Sequence, residues 1–375
     1  MRQPMAGVRV LDFTMFLAGP YATRLMADAG AEVIKVEPPA GDYMRVTAPN
    51  FEGASRQFAQ VNCGKKSLEL DLKDPEDWQA AMDLAAEVDV VVENFRPGVM
   101  DRLGLGYEAV KALNPNVIYC SVSGYGQTGP GASKPAFAPV VHAYCGFDME
   151  LMAWDKSLSK PPANRNTVAD ILAATHAYGA IATALFARER AGGGERIDVT
   201  LVDCMHNLTP FEFQAAQVDD PQRGIIFEPI RSKDGFLMIA PIGPANFLAL
   251  TRAIGCEWMQ TDERFIDPPT RVSNWQAILG EAENWALEFT AVDAAHRLEA
   301  EGCPAAPYRS TRQSIDDEQT NFRDSNVEIQ DAGGAFVVPN TPFRFFARPV
   351  GAANWVAKQG ANNEEMLGRP AKSKR

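Results

Sequence analysis

The stretch V-R-V-L-D-F (8–13), a helical run over 20–29, and E-V-I-K-V (32–36) together decide the fold. Two short β-branched runs separated by a helix-length segment read as strand, helix, strand. Pro20 suits the first turn of the intervening helix, and Gly30 suits its stop. The series continues through S-L-E-L-D-L (67–72), V-D-V-V-V (88–92) and V-I-Y-C-S-V (117–122), with helical patterns over 75–87 and 107–113. Alternation of this kind predicts an α/β fold with a parallel sheet covered by helices.

Further along, residues 168–190 are nearly all Ala, Leu, Ile, Tyr and Thr until R-E-R (188–190). This reads as a helix buried on most sides. Gly192-Gly193-Gly194 ends it, and I-D-V-T-L-V (197–202) reads as a strand. Composition shifts after about 205. D-G-F-L-M-I-A-P (234–241) looks like a hairpin strand, and 245–300 is mostly helical, with Trp258, Trp275 and Trp285. A smaller α+β domain is expected there. The polar tail A-K-S-K-R (371–375) is expected to fray.

The chain has 375 residues, room for two domains. Apolar content of 46% with 22% charged residues fits a soluble globular protein. A net charge of −12 argues against general binding to nucleic acid or to an anionic membrane, so any anionic ligand needs local basic residues. The N-terminal Met-Arg-Gln-Pro leads into a strand pattern without an apolar signal core, and no run of eighteen apolar residues occurs. A cytoplasmic location is the resulting expectation. Six scattered cysteines form no C-x-x-C pair, and buried free thiols are expected.

Gly124, Gly126 and Gly129 spell G-x-G-x-x-G directly after a strand. A dinucleotide site would need a helix to start there, and Pro130, Gly131 and Pro135 oppose one. A structural loop remains, or one through which backbone approaches a ligand. Gly64-Lys65-Lys66-Ser67 hints at a phosphate loop, but position 59 is Ala59 where that motif needs glycine. Neither G-x-S-x-G nor H-E-x-x-H occurs. His142, His176, His206 and His296 lack metal-ligand spacing; His142 follows the glycine loop closely enough to reach the same cleft.

Asp170 opens the Ala-rich helix in T-V-A-D-I-L-A-A (167–174). Thr167 and Asp170 fit the spacing of a capping box, and an acid in a first turn suits the helix dipole whatever the chemistry. The same amides would keep the carboxylate ionised, as a nucleophile requires. The residues alone leave both readings open.

The strings L-A-G-P (17–20), G-A-E-V-I-K-V-E (30–37), E-N-F-R-P-G (93–98), R-L-G-L-G-Y (102–107), S-G-Y-G-Q-T-G-P (123–130) and A-R-E-R-A-G-G-G-E-R-I-D-V-T-L-V-D (187–203) occur in order. This series resembles the class III coenzyme A transferases, the CaiB/BaiF family. The resemblance is strong over about 1–205, weaker over 206–340, and returns in N-N-E-E-M-L-G-R-P (362–370). It implies a Rossmann-like large domain built from 1–205 and 330–375, with a small domain over about 225–325. It also implies an interlocked homodimer.

By the same resemblance Asp170 is the nucleophile. It would exchange coenzyme A between an acyl-CoA and a small organic acid through an aspartyl anhydride and an aspartyl-CoA thioester. Coenzyme A would be substrate and carrier, with no tightly bound cofactor and no metal. Leu17, Ala18, Leu72, Lys73, Asn94, Phe95, Arg96 and Arg102 would line the coenzyme A site, and the Gly124–Gly126–Gly129 loop would face the oxyanions. Read from the residues alone, Lys35, Arg45, Lys65, Lys66, Lys73, Arg96 and Arg102 are each expected as solvated surface charges, several at loop ends where open α/β sheets bind ligands.

Two departures bear on substrate. Formyl-CoA:oxalate members carry glutamine where this chain has Leu17, and their glycine-rich lid is replaced by P-I-G-P-A-N (241–246), so formate and oxalate are disfavoured. The α-methylacyl-CoA racemases place a histidine base where P-A-F-A (135–138) puts Phe137, which cannot move a proton. A racemase on the same fold and a non-catalytic coenzyme A-binding protein remain the alternative readings.

Overall fold

The computed structural model describes residues 1–51, 54–155, 157–219, 224–331 and 334–372. It separates into two compact units, Met1–Phe213 with Gln319–Arg375, and Gln214–Glu318.

The large unit is built on six parallel strands. They are β1 (Arg9–Asp12), β2 (Glu32–Glu37), β3 (Lys66–Glu69), β4 (Val90–Glu93), β5 (Ile118–Ser123) and β6 (Glu195–Thr200). Their order across the sheet is β3-β2-β1-β4-β5-β6. Val10 of β1 pairs with Val33 of β2 on one side and Val90 of β4 on the other. Every residue of β4 and β5 is buried, which explains their continuous apolar runs: a parallel sheet is covered on both faces. Strand order reverses between β1 and β4. In open parallel sheets ligands sit in the crevice at the carboxyl ends of strands at such a point.

The helices of this unit are α1 (Ala18–Asp28), α2 (Arg56–Asn62), α3 (Pro75–Glu87), α4 (Val99–Arg102), α5 (Tyr107–Leu113), α6 (Ala138–Tyr144), α7 (Phe147–Trp154), α8 (Val168–Ala191) and α9 (Leu201–Leu208). Helix α3 has Asp74 as N-cap, accepting from the Glu76 and Asp77 amides, with Pro75 at its first position. Two strand readings end early. Leu70 still donates to the Glu37 carbonyl, but the Asp71 amide turns to the Asp77 carboxylate, so β3 stops before 72. The Thr200 hydroxyl accepts from the Asp203 amide, so Leu201 and Val202 begin α9 instead of extending β6.

Helix α8 is long and apolar enough to cross a bilayer by length and composition alone. It packs against α1, β5 and β6 through one stripe, Ala169, Ala173, Ala174, Ala177, Ile181 and Leu185. Burial on most sides, expected from composition, does not hold within one chain: Ile171 and Phe186 on the other face are exposed. Small residues along the buried stripe let the backbones of α1 and α8 approach closely.

The C-terminal return adds β10 (Asn326–Asp331) antiparallel to β11 (Gly334–Pro339), then α13 (Asn363–Leu367). Asn362 and Asn363 occupy the open edge of β3. Asn362 accepts from the Ser67 amide, and the Asn363 amide side chain pairs with both backbone groups of Glu69. A sheet edge is thereby closed. The return is also locked to α1, where Arg24 pairs with Asp28 and donates to the Pro339 carbonyl. The tail expected to fray is held at Lys372 by Asp74, Glu76 and Asp77; residues 373–375 lie outside the described residues.

The second unit has its own core. A three-stranded antiparallel sheet of β7 (Ile230–Arg231), β8 (Phe236–Ile239) and β9 (Ala305–Pro307) is covered by α10 (Pro244–Ala253), α11 (Trp275–Ala286) and α12 (Ala291–Ala300). Leu237, Ile239, Phe247, Leu250, Ile278 and Leu298 meet there. The free thiols follow expectation at Cys63, Cys120, Cys204 and Cys303, while Cys145 and Cys256 are only half-buried.

Candidate active site

One side chain spans the ends of β1 and β4. Asn94, directly after β4, accepts from the Met15 amide at 2.8 Å and donates to the Met15 carbonyl at 2.7 Å. The next residue, Phe16, has φ of +66°, a backbone region that disfavours side chains other than glycine. Strain of this kind persists where surroundings over-determine it.

Those surroundings are charged and dry. Asp12 is wholly buried and accepts from the Thr14 amide, the Thr14 and Thr23 hydroxyls, and Lys65. Burial pushes the Asp12 carboxyl up, but Lys65, Lys35 and the two hydroxyls outweigh it and hold it at about 2. Lys65 also donates to the Pro20 carbonyl and Asn62, and burial draws its ammonium down to about 8 against the pull of Asp12. Lys35 donates to the Thr14 carbonyl at 2.6 Å and pairs with Asp42 at 3.0 Å. The two lysines thus brace the 12–20 turn from beneath.

That arrangement divides the basic residues. Lys35 and Lys65 are buried; Arg45 grips Glu37 through two 2.6 Å bonds; Lys66 pairs with Glu32 and Glu365. Among the described residues, Lys73, Arg96 and Arg102 are exposed and their charged groups have no partner. They follow β3 and β4, on the carboxyl side of the sheet. Leu72 and Phe95 rest partly buried on the core below, Leu17 is half-buried, and the Ala18 side chain is buried in the core as α1 begins.

One acid in this region escaped the sequence reading. Burial raises Glu93, at the end of β4, to about 7. It accepts from the Phe95 amide at 2.8 Å and so shapes the N-F-R turn. Its one signal in the sequence is a lone acid ending V-V-V-E.

The glycine loop begins no helix before Ala138, as its prolines dictate. A Cβ at Gly124 would stand 2.2 Å from the Ala136 Cβ, so only glycine lets the loop fold back on itself. Gly126 has φ of +90° and donates to the Ser123 hydroxyl, and the Gln127 amide donates to Asp198. The Gly126 amide is therefore engaged, whereas that of Gly129 has no partner among the described residues.

From this loop the chain enters α6, which ties two parts of the site together. At its start, Phe137 packs edge-on against Phe16 with centroids 5.4 Å apart, and Tyr43 lies 5.6 Å from Phe16 on another side. Near its end, His142 is buried and its Nε2 accepts from the Ala169 amide at 3.2 Å. Thr167, expected as the cap of α8, makes no side-chain cap bond. The capping-box reading is thus corrected: the cap comes from a different helix.

Asp170 follows in the first turn of α8. Among the described residues its carboxylate has no hydrogen-bond or ion-pair partner. Burial raises it to about 6. Desolvation therefore outweighs the helix-terminal amides, contrary to the expectation from helix position, and the group is still mostly ionised at neutral pH. A carboxylate that is charged, unpaired and partly stripped of water is a competent nucleophile. Among the described residues no cluster of His, Cys, Asp or Glu could hold a metal ion.

The profile of CoA-transferase family III matches residues 5–358. The chain belongs to that family. Acetyl-CoA:oxalate CoA-transferase of Acetobacter aceti is 33% identical over 353 residues, covering 91% of this chain and 89% of its own. Succinate–glutarate CoA-transferase of Agrobacterium fabrum is 30% identical, covering 98% and 95%. The crystal structure of a CaiB/BaiF family protein from Brucella suis superposes with a TM-score of 0.82 at 29% identity, covering 98% of this chain and 99% of that one. This family III chain is a CoA-transferase, and coenzyme A is its substrate or carrier.

Proposed function

We propose that the protein moves coenzyme A from an acyl-CoA to a carboxylic acid with Asp170 as covalent carrier. The unpaired, desolvated Asp170 carboxylate carries this reading. An Asp170 oxygen attacks the thioester carbonyl, the C–S bond breaks, and a mixed anhydride and coenzyme A thiolate result. The thiolate attacks the aspartyl carbonyl and expels the donor's acid, leaving aspartyl-CoA. The acceptor carboxylate then displaces the thiolate, forming a second anhydride. Thiolate attack on the acceptor's acyl carbon releases the new acyl-CoA and restores Asp170. No net proton or electron is consumed.

Lys73, Arg96 and Arg102 meet the phosphates of coenzyme A, which fits their lack of protein partners. The Gly129 amide is the donor for the oxyanions. The enzyme works as an interlocked homodimer, a reading supported by the uncovered apolar face of α8 at Ile171 and Phe186.

The acceptor is an acid with an apolar chain. The relatives named for oxalate and for glutarate leave its size open. What favours a chain is the aromatic wall of Phe16, Phe137 and Tyr43 beside Leu17.

Intact-protein mass spectrometry after mixing with acyl-CoA tests the mechanism. A coenzyme A adduct on wild type, absent from Asp170→Ala, is expected. An adduct of equal yield on Asp170→Ala would overturn the assignment.

A further inference from the structure

We propose that His142 is a positioning residue for Asp170: its neutral imidazole, presented by α6, caps the first turn of α8 and so holds the carboxylate in place. This rests on Asp170 being the nucleophile.

The opening amides of a helix have no partner within it. Here the local candidate, Thr167, provides none, and the Ala169 amide turns to His142 Nε2 instead. Ala169 is the residue directly before Asp170, so this bond anchors the Val168–Ala169 peptide, one residue ahead of the Cα that bears the carboxylate. The imidazole has little freedom. It is 1% exposed, and its ring rests 5.3 Å from that of Phe147. Ala138, Val141, Ala169 and Ala173 pack in one cluster around the joint.

The ring's other nitrogen carries the argument further. With Nε2 accepting, the hydrogen sits on Nδ1, and Nδ1 is buried with no partner among the described residues. A buried unpaired donor needs a reason. The bond to Ala169 supplies one, because only a neutral imidazole accepts there. Burial lowers the His142 pKa, with Asp148 pulling the other way, so the neutral form prevails. A general-base role does not fit, since the basic nitrogen is already occupied and shielded from solvent.

Two variants separate positioning from packing. His142→Phe keeps the bulk and loses the acceptor; His142→Gln restores an acceptor oxygen at similar reach. The expected result for His142→Phe is a kcat lowered by about tenfold to a hundredfold, the scale of small misplacements. KM for the acyl-CoA should stay within about twofold, and aspartyl-CoA should form more slowly in a single turnover. His142→Gln should recover most of kcat. Equal kcat in wild type and His142→Phe would overturn the proposal, as would equal losses in the two variants.

The tautomer gives a second readout that does not depend on a variant folding. Nitrogen NMR of the wild-type protein should find His142 neutral at neutral pH with the hydrogen on Nδ1. An imidazolium, or a hydrogen on Nε2, would overturn the proposal. Asp170→Ala is assayed alongside. An active Asp170→Ala would refute the nucleophile reading itself, whereas an inactive one beside an unimpaired His142→Phe would refute only the role given to His142.

Discussion

Asn94 holds Met15 by both of its backbone groups, and the next residue, Phe16, is thereby kept at a left-handed φ of +66°. The contact spans the two strand ends where sheet order reverses, β1 and β4. Both polar ends of the Asn94 amide are used on this one residue. Its observed part is therefore to shape the 13–17 turn.

Asn94→Ala is accordingly expected to act through geometry. A donor and an acceptor on Met15 would be left unpaired in a half-buried place, costing about 1–3 kcal/mol of stability. Phe16 and Leu17 would relax, and kcat should fall by about tenfold or more as the turn loses its shape. Thermal melts and steady-state kinetics check this together. A variant with unchanged kcat would show that the clamp does not serve the site.

The raised pKa of Asp170 gives a signed pH dependence. If Asp170 is the nucleophile, activity needs its carboxylate ionised, so kcat/KM for the acyl-CoA should fall with an acid limb near pH 6, where burial places the group. Stability follows the opposite sense. The folded pKa lies above the unfolded one, so below the unfolded value both states are neutral and the burial penalty vanishes. Above about 6 the penalty is complete. Asp170→Asn should therefore melt higher than wild type at pH 8, with the gain shrinking toward pH 4. A difference that grows on acidification would contradict the burial argument.

The parts of this picture that were legible in the sequence are the local ones. The runs V-D-V-V-V and V-I-Y-C-S-V announce strands because both sheet faces are covered, and the helical pattern over 75–87 announces α3. The nucleophile reading of Asp170 came only from the strings around it. What sequence could not supply comes from distant partners. Nothing near His142 says that it will cap a helix starting at 168, and nothing near Lys35 or Lys65 says that Asp42 and Asp12 will bury them. Helix α8 misled for the same reason: its composition is apolar on all sides, but among the described residues only one stripe is buried.

The cations without a partner among the described residues should govern affinity more than rate. On the proposed coenzyme A site, Lys73→Ala, Arg96→Ala and Arg102→Ala each remove one charged contact to a phosphate, worth about 1.5–3 kcal/mol. KM for the acyl-CoA should rise by about tenfold or more in each, with kcat nearly kept. Lys66→Ala serves as control, since its charge already pairs with Glu32 and Glu365. An effect as large at Lys66 as at Arg102 would mean that the coenzyme A site is misplaced.

An interlocked dimer cannot dissociate without unfolding, so dilution should give no folded monomer. Sedimentation across a wide concentration range, followed by circular dichroism on the dilute sample, measures this. A folded monomer at low concentration would rule out interlocking while still allowing a simpler dimer over the Ile171–Phe186 face of α8.

The aromatic wall makes the sharpest statement about substrate. Phe137 is 59% exposed and Tyr43 is 60% exposed, yet both rings are packed on Phe16, whose backbone is strained in that position. Beside them stands Leu17, with no side-chain amide to steady a small oxyanion. A wall of this kind rewards each methylene it covers by about 0.8 kcal/mol, roughly fourfold in kcat/KM. Acids with four to eight carbons should therefore outrun oxalate under one acyl-CoA donor, and the advantage should grow with chain length until the wall is covered. Phe137→Ala should flatten that trend more than it lowers turnover of the shortest acid. Competition between oxalate and longer acids, read from the acyl-CoA products by mass spectrometry, decides the matter: efficient use of oxalate with no activity on the longer acids would refute the inference from Leu17 and the three rings.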